Sequence, residues 1–185
     1  INKMSGSYEE KFKQLKLLYT YQMTHPGKKL NFMGNEIATF DEWNENASIN
    51  WDILKFPVHD DFHRFIKDLN KLYKDEKAFF VKDYEGEGFT WKVVDDNINS
   101  VFAYERRAGD DRFLVVLNMT NTYKNAYHIY YDEDLEFVEV IDSLSESYGG
   151  SRWEKRNIRI EKGNNLVVEL WEYEALVLRV RKYES

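Results

Sequence analysis

The sequence predicts an α+β chain: the last helix–strand–helix of a (β/α)8 barrel, followed by an all-β sandwich domain. Up to about residue 78, apolar residues recur at the three- and four-residue spacing of helices. After that point apolar and polar residues alternate, and turn-forming residues cut the chain into short segments with no predicted helix. We therefore expect two domains, 1–78 and 79–185, with the boundary near residues 75–85.

The first helix is predicted from a capping box. Ser7 is followed three residues later by Glu10, so the helix is expected to begin near Tyr8. Pro26 and the glycine after it end the helix, because proline cannot continue the helical hydrogen bonding. A short strand is expected over residues 29–33.

A long loop, residues 34–58, and a second helix follow. The helix is predicted to begin near Asp60 or Asp61 and to end before the charged run at residues 74–77. Its apolar residues form one stripe, and its lysines lie on the opposite, solvent-exposed face. The members of the stripe are Phe62, Phe65, Ile66, Leu69, Leu72 and Tyr73.

The second half is predicted to hold about seven or eight strands in a sandwich or barrel. We expect Arg106, Arg107, Arg179 and Arg181 to lie on strand faces with solvated ends. The predicted strands cover residues 89–93, 100–104, 112–118, 127–131, 137–141, 157–161, 166–170 and 175–181.

Composition excludes several classes of protein. Hydrophobic residues make up 43% and charged residues 32%, the balance of a folded chain. A net charge of −7 argues against nucleic acid as a partner, and no apolar run approaches the roughly 20 residues of a membrane helix. There is no cysteine, which excludes disulfides and thiolate metal sites and fits a cytoplasmic protein. Because the chain opens at Ile1 without a signal-peptide pattern, we expect a processed start or a piece of a longer protein.

The loop at residues 34–58 is the candidate functional segment, because barrel chemistry lies on the loops after the strands. Its carboxylates, amides and indoles suit a polyol-binding cleft, where rings stack on sugars and polar groups bind hydroxyls. A loop that packs on its own scaffold with a solvated acidic rim is the alternative. The candidate substrate-binding residues are Asn35, Glu36, Trp43, Asn44 and Trp51.

An ordered set of motifs gives a more specific indication. The segments GKKLNFMGNEIA at 27–38, EWN at 42–44 and SINW at 48–51 closely resemble the end of the catalytic barrel in glycogen (1,4-alpha-glucan) branching enzymes of the alpha-amylase superfamily. The resemblance spans nearly the whole chain. It continues through IKDLNKLY at 66–73, GFTW at 88–91, VVLNMT at 115–120, YGG at 148–150 and ALVL at 175–178. The chain departs from the family pattern at 118–122 and 171–174, where the family often has an aromatic residue and prolines.

The resemblance implies a retaining glycosyltransferase that moves alpha-1,4-glucan segments to form alpha-1,6 branches in glycogen. In this family one carboxylate forms a covalent intermediate and a second acts as acid and base. A third carboxylate stabilises the transition state, and all three lie on earlier barrel strands. No catalytic residue is therefore assigned in this chain, and the chain alone is predicted to be inactive. No cofactor is expected for the reaction. Glu36 is expected to support or orient the cleft.

Other interpretations stay open. The chain could be the C-terminal part of another alpha-amylase-family glucan hydrolase, or a carbohydrate-binding or structural β module. His59 and His63 are four residues apart, but without a third ligand we expect surface residues and no metal. Alpha-glucan, as glycogen or amylose, is the expected partner of the full-length protein. The barrel piece should be poorly ordered, associate with another copy, or pack against the β domain.

Overall fold

A computed structural model describes residues 1–183, in which two helices cover one face of a β sandwich. Helix α1 spans Tyr8–Thr24. As predicted, the Ser7 hydroxyl accepts the Glu10 amide, and the Glu10 carboxylate accepts the Ser7 amide. Helix α2 spans Pro57–Asp75 and so begins three or four residues before the predicted start. The prediction overlooked Pro57, which lies in the first helical turn. A backbone N–H at this position has no acceptor within the helix, so proline is tolerated there.

The predicted strand over residues 29–33 is wrong. Residues 28–32 form no β pairing, because a barrel strand needs neighbouring parallel strands and residues 1–183 supply none. Side chains of α1 hold this segment instead. The Gln22 amide donates to the Leu30 carbonyl, and the Tyr19 hydroxyl donates to Asn31 Oδ1 at 3.1 Å.

Eight antiparallel strands confirm the predicted sandwich. They are β1 (Phe89–Val93), β2 (Val101–Ala108), β3 (Asp111–Asn118), β4 (Lys124–Tyr130), β5 (Leu135–Asp142), β6 (Asn157–Ile160), β7 (Asn165–Leu170) and β8 (Ala175–Lys182). The larger sheet has the order β1-β2-β3-β8-β5-β6, and β4 pairs with β7 in a second sheet. Single 3-10 turns at Lys77–Phe79, Gly86–Gly88 and Glu146–Tyr148 interrupt the region in which no helical segment was expected.

The central strands explain the three-layer arrangement. Strand β3 sends Phe113, Val115 and Leu117 toward the helices, and Leu114 and Val116 toward the small sheet. Side chains of a strand alternate between faces, so a strand buried on both sides reads as a continuous apolar run. Of the three predicted outcomes for the barrel piece, the structure shows packing against the β domain. Between residues 1 and 183, no helix is both long enough and apolar enough to cross a bilayer.

Arg106 corrects the expectation of solvated arginine ends on β2. Its side chain is fully buried, and its guanidinium donates to the carbonyl of Thr24 at 2.5 Å and to Asp83 at 2.5 Å. Its Nε donates to the Gly88 carbonyl at 3.2 Å. Arg106 therefore joins the end of α1 to the segment that leads into β1.

Candidate functional site

The candidate loop is anchored on α2 by two histidines. His59 Nδ1 donates to the Ile37 carbonyl at 2.8 Å, and His63 Nδ1 donates to the Glu36 carbonyl at 3.2 Å. His59 Nε2 then accepts from the Tyr8 hydroxyl at 3.3 Å. His59 is buried and His63 half-buried, so the prediction that both are surface residues is wrong. The described residues contain no group of three or more His, Cys, Asp or Glu placed to hold a metal.

Two short 3-10 helices shape the loop. Gly34 enters the first, Asn35–Ile37, at φ 84°, a conformation that favours glycine. The second spans Trp51–Lys55, where the Asn50 side chain accepts the Asp52 amide at 3.2 Å. The loop is thus a folded structure with its own turns.

Glu36 faces helix α1. Its carboxylate accepts a hydrogen bond from Asn31 Nδ2 at 3.0 Å, and Asn31 in turn accepts from Tyr19. Burial, with the Glu36 charge as a second cause, raises the pKa of Tyr19 to about 12. This chain of contacts holds Glu36 in one orientation.

Trp43 lies between two small clefts at the tip of the loop. One cleft, of about 220 Å³, is also lined by Asn44, and the other, of about 210 Å³, by Asn35. The indole is 57% exposed and meets the Phe32 ring edge to face at 5.7 Å. Asn44 Oδ1 accepts the Asn46 amide at 2.9 Å, so it also closes a turn.

Trp51 lines neither of the two clefts beside Trp43. Its ring is 51% exposed and contacts the His63 ring at 6.3 Å. The structure thus gathers Asn35, Trp43 and Asn44 around the two clefts, whereas Glu36 and Trp51 both contact His63.

The acidic residues of the loop do not form one group. Asp41 and Glu42 are exposed and line the clefts beside Trp43, and Glu42 lies 3.8 Å from Lys3. Glu36 lines neither the Trp43–Asn44 cleft nor the Trp43–Asn35 cleft. A retaining glycosidase needs two carboxyl groups on opposite sides of one bond. Asp41 also lines a wider groove, of about 590 Å³, together with Asp52. Residues 34–58 show indoles and amides for binding, and none of their carboxylates is assigned as a nucleophile or as an acid.

A second groove was not singled out from the sequence. It lies between the helices and the β domain, has a volume of about 550 Å³, and is lined by residues of α1, α2 and the turns near residues 149 and 171. Lys16, buried beneath it, donates to the carbonyls of Ser143 at 3.1 Å and Tyr148 at 2.7 Å. Burial lowers the pKa of Lys16 to about 8. Trp171 lines this groove just after a predicted strand. The sequence did not indicate that the helices and the turns near residues 149 and 171 would meet there.

The YGG motif has a structural explanation in this groove. The Tyr148 hydroxyl donates to Asp68 on α2 at 2.8 Å. A Cβ atom on Gly149 would lie 2.2 Å from Asp61 Oδ2, and one on Gly150 would lie 1.8 Å from the Leu144 carbonyl oxygen. The two glycines therefore permit close approach of this turn to α2 and to its own backbone.

The fold defines the class of the second half. Residues 91–181 match the family model described as the alpha amylase C-terminal all-beta domain. That part of the chain is similar to this family of β domains, as the resemblance predicted.

Two curated relatives of this chain are 1,4-alpha-glucan branching enzymes. The chain is 40% identical over 153 residues to a 1,4-alpha-glucan branching enzyme of Bacillus cytotoxicus, an alignment that covers 82% of this chain and 24% of that protein. It is 43% identical over 152 residues to the branching enzyme of Nitrosomonas eutropha, which covers 82% and 21%. The predicted resemblance to branching enzymes is confirmed, and the aligned part is about a quarter or less of the length of these relatives.

Solved structures support the fold. AmyP E221Q, crystallised with maltotriose, matches 99% of this chain and 37% of its own length, with a TM-score of 0.71 and 14% identity. The isomaltulose synthase SmuA from Protaminobacter rubrum matches 92% and 38%, with a TM-score of 0.58 and 16% identity. At these identities the likeness concerns the fold alone.

Proposed function

We propose that this chain is the C-terminal part of a cytoplasmic 1,4-alpha-glucan branching enzyme, which transfers alpha-1,4-glucan segments to form alpha-1,6 branches. The identity of 40–43% across 82% of the chain to several branching enzymes carries this proposal. The chain itself supplies the end of the barrel and the β domain, and it lacks the catalytic carboxylates. Two barrel helices packed on the sandwich agree with that placement.

In this proposal, the loop at residues 34–58 contributes to the glucan cleft. Trp43 presents an open ring for stacking, and Asn35 and Asn44 border the same clefts with amide groups. Glu36 supports the loop through Asn31, and Trp51 supports it through His63. None of these residues is assigned a role in bond cleavage.

An amylose assay tests this function. The full-length protein should reduce the iodine colour of amylose and create alpha-1,6 linkages, measured as short chains released by a debranching enzyme, without a matching rise in reducing ends. The 185-residue chain should do neither. Activity in the isolated chain would contradict the proposal and would direct attention back to Glu36, Asp41 and Glu42.

The reducing-end measurement separates the nearest alternative. A hydrolase of the alpha-amylase family would lower the iodine colour while reducing ends increase in proportion to bonds cleaved. A transferase forms one glycosidic bond for each bond it breaks. A large rise in reducing ends with no new branches would therefore replace transfer with hydrolysis.

A further inference from the structure

The turn at residues 34–39, where the candidate loop begins, has a strained backbone. It contains two residues in the left-handed region, Gly34 at φ 84° and Ala38 at φ 56°. Glycine adopts this conformation freely, but the Cβ of an alanine crowds the following carbonyl oxygen. Such strain persists only where the surrounding structure holds it, and it is concentrated at functional sites. Ala38 therefore raises the question of what holds this turn.

Three backbone hydrogen bonds close the turn on itself. The Gly34 carbonyl accepts from the amides of Ile37 and Thr39, both at 3.2 Å. The Asn35 carbonyl accepts from the Ala38 amide at 3.1 Å. These bonds define the shape of the turn but do not fix it to the rest of the fold.

Two histidines on α2 connect the turn to the fold. His59 Nδ1 donates to the Ile37 carbonyl at 2.8 Å, and His63 Nδ1 donates to the Glu36 carbonyl at 3.2 Å. Residues four apart on a helix lie on one face, so α2 binds two consecutive carbonyls from the same side. His59 is 1% exposed, and the Phe12 ring meets it edge to face at 5.0 Å. The packing thus holds the His59 ring against the turn.

The turn forms one side of both clefts beside Trp43. Gly34 and Thr39 line the cleft that Asn44 also lines, and Asn35 and Thr39 line the other cleft. Neither histidine lines these two clefts, so any effect of the histidines on them passes through the turn. A movement of the turn would change the shape of both clefts without changing the residues that line them.

We propose that His59 and His63 are positioning residues of the glucan cleft, which clamp the strained turn to α2 and thereby fix the shape of the clefts beside Trp43. The choice of an alpha-1,4-glucan as ligand rests on the proposed function, whereas the clamp rests on the contacts of the turn with α2. No proton transfer or bond cleavage is assigned to either histidine.

Hydrogen exchange in the 185-residue chain tests the clamp without any ligand. In His59→Leu, the amides of Ile37, Ala38 and Thr39 should exchange at least about tenfold faster than in the wild type, because the turn opens more often. His59→Asn should keep most of the protection, since the asparagine side-chain amide can donate from the position of Nδ1. His128→Leu is the matched control, because His128 is an exposed residue of β4 in the small sheet. It should leave these exchange rates within about twofold of the wild type.

Kinetics of the full-length protein on amylose test the effect on the cleft. His59→Leu should raise KM about tenfold and keep kcat within about twofold, because the cleft changes shape while the reacting groups do not. A loss of folded protein would instead lower the measured kcat and leave KM unchanged. His63→Leu should act in the same direction with a smaller effect, since its ring is half-buried. Adding Ala38→Gly to His59→Leu should restore part of the KM, because glycine adopts φ 56° without strain.

Three results would overturn the proposal: unchanged exchange in His59→Leu, equal changes in His128→Leu, or faster exchange in His59→Leu with an unchanged KM. No recovery on adding Ala38→Gly would contradict the role given to the strain. A full-length protein that branches amylose with an unchanged KM in His59→Leu would refute the clamp and leave the proposed function standing. A full-length protein that hydrolyses amylose, with a raised KM in His59→Leu, would do the reverse.

Discussion

Gly150 offers the sharpest test of how the β domain is joined to the helices. An alanine Cβ at this position would lie 1.8 Å from the carbonyl oxygen and 2.3 Å from the carbonyl carbon of Leu144. Both are backbone atoms, so no side-chain rotation relieves the overlap. The same Leu144 oxygen accepts the Arg152 amide at 3.1 Å, and the turn supplies the Tyr148 carbonyl that binds Lys16.

The expected loss is about 3 kcal/mol of unfolding free energy. Forcing one extra carbon into a packed site costs about 1–3 kcal/mol. Displacing Leu144 also weakens one or two hydrogen bonds, each with a net contribution of about 1 kcal/mol. For a protein of this size that loss corresponds to a fall in Tm of about 6–12 °C.

Urea unfolding followed by tryptophan fluorescence measures the effect of Gly150→Ala. Gly86→Ala is the matched control, because a Cβ there meets nothing within 4 Å and Gly86 has no positive φ. The control should stay within about 0.5 kcal/mol of the wild type. A Gly150→Ala variant as stable as the control would refute the close backbone approach on which this estimate depends.

Three further predictions concern single side chains. Burial lowers the pKa of Lys16 to about 8, so between pH 8 and 10 the folded chain releases a proton that the unfolded chain keeps. Between pH 7.5 and 10, the unfolding free energy of the wild type should therefore rise by about 2 kcal/mol more than that of Lys16→Met, as measured by urea unfolding. Parallel curves of unfolding free energy against pH for the two proteins would contradict this. Arg106→Met should lower the unfolding free energy by about 3–5 kcal/mol, because it leaves Asp83 without its buried partner. Adding Asp83→Asn should recover part of this loss. A double variant less stable than Arg106→Met would contradict that explanation. Trp43→Ala should change stability by less than about 0.5 kcal/mol but lower kcat/KM of the full-length protein on amylose about tenfold, and unchanged kinetics would remove Trp43 from the cleft.

The sequence predicted both helices and all eight strands, because these depend on local periodicity and turns. The capping box at Ser7 placed the start of α1 at the residue where the structure begins it. The predicted strand at 29–33 failed because strand formation depends on neighbours, and residues 1–183 supply none there. The burial of Arg106 could not be predicted either, since Asp83 lies 23 residues away in a turn.

The candidate loop was predicted only in part. Exposed indoles, amides and acidic residues suggested a binding segment, and the structure brings Asn35, Trp43 and Asn44 to neighbouring clefts. Residue types alone did not indicate that Glu36 and Trp51 would both contact His63, because that contact depends on how α2 packs under the loop. The roles of these residues in glucan binding stay a prediction.

The shared core has a consequence for protein engineering. One continuous apolar cluster contains Phe12 of α1, Phe65 of α2 and Phe113 of β3, so it crosses position 78 without interruption. A chimera that exchanges only the β domain between related enzymes would pair one sheet face with foreign helices and lose complementary packing there. The natural module for exchange is thus the helices together with the sandwich. A crossover placed before residue 7 should give better-expressed chimeras than one placed near residue 80.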